Sequence, residues 1–324
     1  MHRLAIAMSL LLAAASARGA DIYVDNVQGD DRNNGSVPLP SAGVGGPTAS
    51  IAKALRISQK GDRIIVANTG VPYRESITLQ GRDNSGWPSA ALVIQGNGAV
   101  LDGTAPVPVD AWAHVLKDVY CFAPVYKSYH QLYLDDRPAQ RVPITSIDEL
   151  HQLTPLTWAL VDGQIFFCTE KDRGPGSYRL SFTARRTGIT LYQVRHVQIV
   201  DLTVQGFQLD GINVHSNCYE TELREITARG NGRSGISVGG ASRVTIGQSL
   251  LGDNGSAQLR GEGFSTTTVE QTSLLENTAP ALFREEATIV IDGQLFTGAS
   301  VPQAAGPQAP ASAGAATDDP SSET

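Results

Sequence analysis

Residues 197–214, VQIVDLTVQGFQLDGINV, are followed at a regular spacing by two similar stretches, TELREITARGNGRSGISV (221–238) and VTIGQSLLGDNGSAQLRG (244–261). Apolar residues recur in the same columns, and one further step of the same length continues them. The columns hold Ile199, Leu223, Ile246 and Val269; Val204, Ala228, Leu251 and Leu274; and Ile212, Ile236, Leu259 and Leu282. Several columns that share one period of about two dozen residues indicate an internal repeat.

Each repeat has the pattern of short β-strands. Apolar residues alternate with other residues in Val197-x-Ile199, Leu202-x-Val204 and Ile212-x-Val214, as expected for strands with one buried face. Three such strands and three turns fit into one repeat, which predicts one turn of a coil. Coils stacked about 4.8 Å apart would pair each strand with its copies and bury a continuous core. Leucine-rich repeats are excluded because their LxxLxL frame is missing.

A column of asparagines accompanies the repeat. Asn231, Asn254 and Asn277 follow the same period, and the first two are flanked by residues typical of turns. Stacked amides at turns can form hydrogen bonds along the axis of a solenoid and satisfy backbone groups there. We therefore predict a purely structural role for this column.

The remaining segments differ from the repeat in composition. Residues 18–103 predict an N-terminal cap and the first coils, with strands at 22–24, 64–66, 77–79, 92–94 and 99–101. Apolar residues at helical spacing in 48–58 predict a short amphipathic helix that covers the open end of the core. Residues 104–187 break the period, concentrate aromatic residues and include the hairpin signal VDGQI (161–165), which predicts an inserted β-rich subdomain. Coils resume over 188–297, and the Ala-, Pro- and Gly-rich residues 298–324 predict a disordered tail.

Short motifs in the first coils add a family resemblance. They are Tyr23-Val24, Gly29-Asp30-Asp31, Asn34-Gly35, Gly46-Pro47, Gly61-Asp62-Arg63-Ile64 and Tyr73-Arg74-Glu75. Together they resemble the N-terminal signature of secreted β-helix proteins of the pectate-lyase-like superfamily, and with the repeats the resemblance covers most of residues 21–297. It implies an all-β fold, a right-handed parallel β-helix with an N-terminal capping helix and an inserted β-rich subdomain. It implies little about chemistry, because this fold carries lyases, glycoside hydrolases, epimerases and adhesins.

The N-terminus predicts export. Residues 1–17 combine a positively charged start, an apolar run and small residues at 15–17, which is the pattern of a signal peptide. We expect a secreted, periplasmic or cell-surface protein without a membrane-inserted segment. The net charge of −7 argues against nucleic acid as a partner, and we expect a monomer. Of the three cysteines, Cys121 and Cys168 either form a disulfide or are small buried residues.

One strand of the repeat is the candidate site. Enzymes of the resembled superfamily usually bind substrate along the outside of one parallel sheet, and the strand at 210–215 resembles that sheet. Alternation turns Asn213 and His215 outward, and the period of the repeat places Arg260 and Glu262 on the same face two coils away. We predict that His215, Arg260 and Glu262 are catalytic and that Asp210 and Asn213 bind substrate.

The sequence alone does not decide which reaction, if any, this face catalyses. Elimination needs a base and a cation that neutralises a uronate; His215 or Arg260 could serve, with Ca²⁺ on Asp210 or Glu262 as one alternative. No zinc-site spacing occurs, which argues against a zinc site, and we assign no residue as a metal ligand. Hydrolysis needs two carboxylates, and only Glu262 and Glu285 come close. A solvated ion pair without function is the further alternative.

The predicted function is action on a polysaccharide, as a lyase or glycoside hydrolase. The alternative is a non-catalytic glycan-binding or structural β-helix at the cell surface.

Overall fold

The computed structural model describes residues 19–41 and 43–298, which form a parallel β-helix with a β-rich insertion. The predicted signal peptide lies outside the described residues, as does the predicted tail beyond Gly298. In the described part of the chain, no helix is long and apolar enough to cross a membrane.

The larger sheet of the coil, sheet A, has a corner. Three of its long strands bend through this corner without a break, and in two later coils a pair of shorter strands meets there. Its strands are Asp21–Val24, Arg63–Val66, Leu92–Asp102, Arg195–Gln205, Tyr219–Arg229, Arg243–Gly247, Leu250–Gly252, Thr266–Glu270, Ser273–Leu274, Thr288–Ile291 and Gln294–Leu295. The predicted strands around 197–199 and 202–204 are therefore one strand. The bend falls at Asp201, which has a left-handed backbone with a φ of 53°, and it recurs at Glu225, Gln248 and Gln271 with φ of 46–55°. A single left-handed residue turns the chain, so no separate loop is needed at this corner.

The second sheet, sheet B, carries the candidate site. Its strands are Ile77–Gln80, Ile189–Tyr192, Asp210–His215, Ser234–Val238, Ala257–Glu262 and Leu282–Glu285. Ile212, Ile236, Leu259 and Leu282 are register partners on successive strands. In sheet A, Ile199 pairs with Leu223. The predicted columns are therefore stacked in register, which confirms the solenoid.

The apolar columns form one core between the sheets. Ile199, Leu223, Ile212 and Ile236 are fully buried in it. The predicted capping helix spans Ile51–Ile57 and buries Ile51, Ala54 and Leu55 against the core.

Side chains from two other segments hold this helix in place. The Ser50 hydroxyl accepts a hydrogen bond from the backbone N–H of Lys53 at 3.1 Å. The Glu75 carboxylate accepts from the N–H groups of Ile51 and Ala52 at 2.9 and 3.0 Å, and burial raises the pKa of Glu75. These bonds satisfy N–H groups that the helix itself leaves without an acceptor.

The predicted asparagine column forms a ladder. The Asn254 side-chain oxygen accepts from the backbone N–H of Asn231 at 2.9 Å and from its amide at 3.1 Å. Asn231 and Asn254 are fully buried, whereas Asn277 is exposed and forms its hydrogen bonds with Asp253. The buried amides thus tie successive turns together along the axis.

Residues 104–187 build sheets that pair among themselves. One sheet contains Trp112–Leu116, Val119–Phe122, Gln140–Arg141, Thr157–Val161 and Gln164–Cys168. The other contains Thr104–Pro106, Leu132–Leu134, Arg137–Pro138 and Leu180–Thr183. Short 3₁₀ helices span Val109–Ala111, Ile147–Gln152 and Pro175–Ser177. The predicted hairpin pairs Val161 with Gln164. Cys121, Cys168 and Cys218 are free thiols.

Candidate functional site

The insertion forms a wall beside sheet B. It leaves the coil after Asp102 and returns before the strand Ile189–Tyr192, so it occupies the turn between sheet A and sheet B. The Tyr133 hydroxyl donates to the carbonyl of Gly230 at 2.9 Å. A Cβ on Gly232 would lie 1.5 Å from the carbonyl oxygen of Tyr129. The insertion therefore packs directly against the turns that lead into sheet B.

The outward positions of sheet B form a shallow depression. Asn213, Ser237 and Arg260 are register partners on three successive strands. The depression has a volume of about 280 Å³. It is lined by Asn213, His215, Ser216, Ser237, Gly239, Gly240 and Glu262. Among the predicted site residues, His215, Asn213 and Glu262 thus share one open surface.

His215 is partly exposed at this surface. Its ring centroid lies 5.2 Å from that of Tyr192, and its Nδ1 lies 3.2 Å from the hydroxyl oxygen of Ser216. Contact with an aromatic ring and a hydroxyl restricts the orientation of the imidazole while the side chain keeps contact with solvent.

Asp210 does not lie on the exposed face, so its predicted role in contacting substrate is wrong. It is 0% exposed. Its carboxylate accepts from the Arg233 guanidinium at 2.9 and 2.5 Å, from the Ser234 hydroxyl at 2.6 Å and from the Asn213 amide at 3.0 Å. A carboxylate whose oxygen atoms are used in this way has no access to a ligand. Asp210 instead positions Arg233 and the amide of Asn213.

Arg233 is the partner that the sequence reasoning missed. Burial lowers the pKa of Arg233, but the hydrogen bond and charge of Asp210 outweigh burial and raise it. The negative charge of Glu262 acts in the same direction. Arg233 lies about one period of the repeat after Asp210 and has the opposite charge. This combination could have identified the ion pair from the sequence.

Arg260 is also less accessible than predicted. It is 7% exposed, and its Nε donates to the Glu262 carboxylate at 2.7 Å. The guanidinium carbon lies 3.8 Å from the centroid of the Phe283 ring. The expectation that Arg260 faces the cleft is therefore corrected. Arg260 orients Glu262 through this hydrogen bond, and Glu262 is the member of the pair that lines the depression.

A second carboxylate lies next to Glu262 on the following coil. Glu262 and Glu285 are register partners, and so are Gly261 and Arg284. The inward position of Arg284 is accommodated because its guanidinium donates to the carbonyls of Ala287 and Gly298 at 3.3 and 3.4 Å at the end of the coil. Adjacent strands lie about 4.8 Å apart, so the two carboxylates extend from neighbouring backbone positions.

Aromatic rings lie near the depression and were not predicted as site residues. Phe264 is 84% exposed in the turn after the strand that carries Glu262. Gly263 stacks on Gly240, because a Cβ on Gly263 would be 3.3 Å from the Gly240 oxygen. Phe264 thus follows directly after a glycine that stacks on Gly240, a residue of the lining. Tyr192, which is 39% exposed, contacts His215 at the other side.

The residues of the site do not fit Ca²⁺. Within the described ranges, no group of three or more His, Cys, Asp or Glu side chains is placed to hold a metal ion. The carboxylate of Asp210 is occupied by Arg233, and that of Glu262 is paired with Arg260. A Ca²⁺ ion prefers six to eight oxygen ligands, so neither carboxylate offers the predicted alternative of a calcium site.

Comparisons with known proteins found a family model and several solved structures that are similar to this chain. The family model described as right handed beta helix region matches residues 179–314. A solved glycoside hydrolase has a TM-score of 0.58 and 11% identity, covering 78% of this chain and 72% of that chain. A complex of XylC with xylose has a TM-score of 0.42 and 12% identity, covering 84% and 70%. Pectate lyase Pel9A has a TM-score of 0.30 and 11% identity, covering 85% and 78%. No curated protein matches the sequence.

At 11% identity, similarity to the glycoside hydrolase concerns the fold and not the reaction. It agrees with the stacked parallel strands of sheets A and B and with the family model over the coils. The predicted right-handed parallel β-helix fold is thereby confirmed. This chain is a right-handed parallel β-helix protein.

Proposed function

We propose that this protein is exported and acts on a polysaccharide that lies along the outer face of sheet B. The observation that carries the proposal is the depression on sheet B, where His215, Asn213 and Glu262 meet on one open surface. Concave sites with a few convergent polar groups are the usual position of ligand binding. Phe264 and Tyr192 add exposed rings on which a sugar can stack.

The reaction that this geometry supports best is hydrolysis. Glu262 and Glu285 extend from paired positions on adjacent strands, and retaining glycosidases hold their two carboxyl groups about 5–5.5 Å apart. In such a reaction the Glu262 carboxylate attacks the anomeric carbon while the protonated Glu285 gives its proton to the departing glycosidic oxygen. Water, deprotonated by Glu285, then cleaves the glycosyl ester and restores both groups.

The other predicted residues have supporting roles in this reaction. Arg260 orients the Glu262 carboxylate through the 2.7 Å hydrogen bond. His215 and Asn213 bind sugar hydroxyls at the opposite side of the depression. Elimination is less well supported, because a lyase needs a cation for the uronate carboxylate, and the guanidiniums of Arg233 and Arg260 are already paired with carboxylates.

A panel of neutral and acidic polysaccharides tests the proposal. New reducing ends without unsaturated uronide absorbance indicate hydrolysis, whereas absorbance of unsaturated uronides indicates elimination with His215 as the base. For hydrolysis, Glu262→Gln and Glu285→Gln should each lower kcat by at least about a hundredfold. The matched control is Glu286→Gln, an exposed neighbour, which should leave the rate unchanged.

Two further variants separate positioning from catalysis. His215→Ala should lower activity at least about tenfold with little change in Tm, because the side chain is partly exposed. Arg260→Ala should lower both activity and Tm, because it removes a largely buried guanidinium from Glu262 and Phe283. Full activity in Glu262→Gln, His215→Ala and Arg260→Ala would refute the assignment of this face.

The second candidate function is glycan binding without cleavage. It is favoured by the charges of the site, since Asp210 with Arg233 and Glu262 with Arg260 form internal pairs. Retention of wild-type protein on an immobilised polysaccharide, with neither reducing ends nor unsaturated products, would support this function and exclude the enzyme.

A further inference from the structure

A second depression lies on sheet A, away from the site on sheet B. It has a volume of about 320 Å³, and its lining includes Trp87, His196, Gln198, Glu220, Glu222 and Thr245. The floor is a column of register partners on successive strands, in which Gln198 pairs with Glu222 and Glu222 with Thr245. These polar side chains therefore follow the axis of the solenoid across several coils.

Trp87 forms one side of this depression and is held in a defined position. Its indole is 54% exposed, which is unusual for the largest apolar side chain. Its backbone N–H donates to the Ala90 carbonyl at 2.8 Å, and the Ala90 N–H donates back at 3.0 Å. The Lys60 ammonium lies 4.6 Å from the centroid of the ring. The tight turn and the cation–π contact keep an apolar surface next to the polar floor.

The polar groups of the floor are already arranged as hydrogen-bonding partners. The Gln198 amide donates to the Glu222 carboxylate at 2.9 Å, and Nδ1 of His196 lies 2.5 Å from Oε2 of Glu220. His196 and Glu220 both have left-handed backbones, with φ of 53° and 50°, at equivalent positions one coil apart. Carboxylate oxygens can each accept more than one hydrogen bond, so both carboxylates keep capacity for a ligand.

The charges of the depression favour an uncharged ligand. Glu220 is paired with His196, and Glu222 lies 3.8 Å from the Arg224 guanidinium as well as next to Gln198. An acidic ligand would bring a further negative charge beside two carboxylates. A ligand with many hydroxyl groups and one apolar face meets both the acceptors of the floor and the indole surface.

We propose that this surface, the Trp87 depression, is a second binding site, for a neutral oligosaccharide. The indole stacks on the apolar face of one sugar ring, and the carboxylates of Glu220 and Glu222 accept hydrogen bonds from its hydroxyls. The site is independent of the proposed reaction on sheet B. It would hold a glycan on a different face of the same solenoid.

Calorimetric titration of the whole protein tests this site with three neutral probes, xylohexaose, cellohexaose and mannohexaose, and one acidic probe, hexagalacturonate. A neutral probe should bind, and Trp87→Ala should weaken its binding at least about tenfold. Trp87→Phe should retain most of the affinity because the ring remains, which also shows that the loss in Trp87→Ala is not a folding defect.

Matched controls distinguish this site from the site on sheet B. Tyr126→Ala removes another exposed aromatic ring, from the insertion, and should leave binding unchanged. His215→Ala should also leave the Trp87-dependent binding unchanged, even where it abolishes activity.

Three results would overturn the inference: no neutral probe binds; a neutral probe binds equally well to Trp87→Ala; or hexagalacturonate binds more tightly than every neutral probe. None of these results bears on cleavage at sheet B, which the reducing-end assay measures separately.

Discussion

The asparagine ladder allows one substitution to be compared at a buried and an exposed position of the same column. Asn254→Ala removes an oxygen that accepts from the backbone N–H and the side-chain amide of Asn231. It also removes the amide that donates to Ala228 at 3.1 Å and to Gln258 at 2.8 Å. Asn231 and Asn254 are fully buried, so the freed donors of Asn231 lose their acceptor in the interior.

The size of the effect follows from those donors. A buried donor left without an acceptor costs about 1–3 kcal/mol, and two of them on Asn231 predict a loss of about 2–6 kcal/mol in the free energy of unfolding. Asn277→Ala removes a bond from the Asp253 N–H at 3.0 Å and one to the Asp253 carboxylate at 2.7 Å. Asn277 is exposed, so water replaces both bonds and the expected cost stays below about 1 kcal/mol.

Urea unfolding followed by far-ultraviolet circular dichroism measures both variants against the unsubstituted protein. The expected result is a clearly lower midpoint for Asn254→Ala, a small change for Asn277→Ala and similar slopes for all three proteins. The reasoning is refuted if Asn254→Ala costs no more than Asn277→Ala, because burial of the amides would then contribute nothing to the ladder.

Other contacts in the structure give further predictions. Asp210→Ala should lower the free energy of unfolding by at least about 2 kcal/mol, since it leaves the Arg233 guanidinium without its carboxylate. Asp210→Asn should lower the free energy of unfolding by less. Equal Tm values for both variants and the unsubstituted protein would contradict this prediction. Gly232→Ala should lower Tm strongly because its Cβ would meet the backbone of the insertion at 1.5 Å, whereas Gly247→Ala, which has nothing within 4 Å, should not. Burial lowers the pKa of His130, so the imidazole takes up a proton at higher pH in the unfolded chain than in the folded one. The stability of the fold should therefore decrease as the pH drops below about 6.5. His130→Gln should flatten the dependence of Tm on pH between 7 and 5, and an unchanged slope would argue against a buried neutral imidazole.

Much of the fold could be predicted from the sequence because residues one repeat apart stack on each other in successive coils. Ile199 pairs with Leu223 as the period requires, since a slip of one residue would turn the apolar side chains of a strand toward solvent. The corner at Asp201 was predicted as a break between strands. It is one bent strand because a single left-handed residue changes the direction of the chain without ending the hydrogen-bond ladder.

The candidate site was predictable only in part. The period placed Asn213 and His215 two coils from Glu262, and these three side chains do line one depression. It could not show that Asp210 is fully buried or that Arg260 is largely buried and bonded to Glu262, because such details depend on which partner each charged group meets in the folded chain.

The sequence by itself determined the coil, its register and the face on which the outward residues meet. Each of these follows from the periodic alternation of apolar residues, which turn to the core, and polar residues, which turn to solvent. Only the tertiary structure decided how the charges are paired, where the insertion packs, and that Trp87 lies beside the column that contains Glu222. These contacts join residues that share no period, and their geometry comes from turns and from the packing of one segment on another. The physical reason is that burial of an apolar face is repeated at every coil, whereas each ion pair and each aromatic contact is formed once.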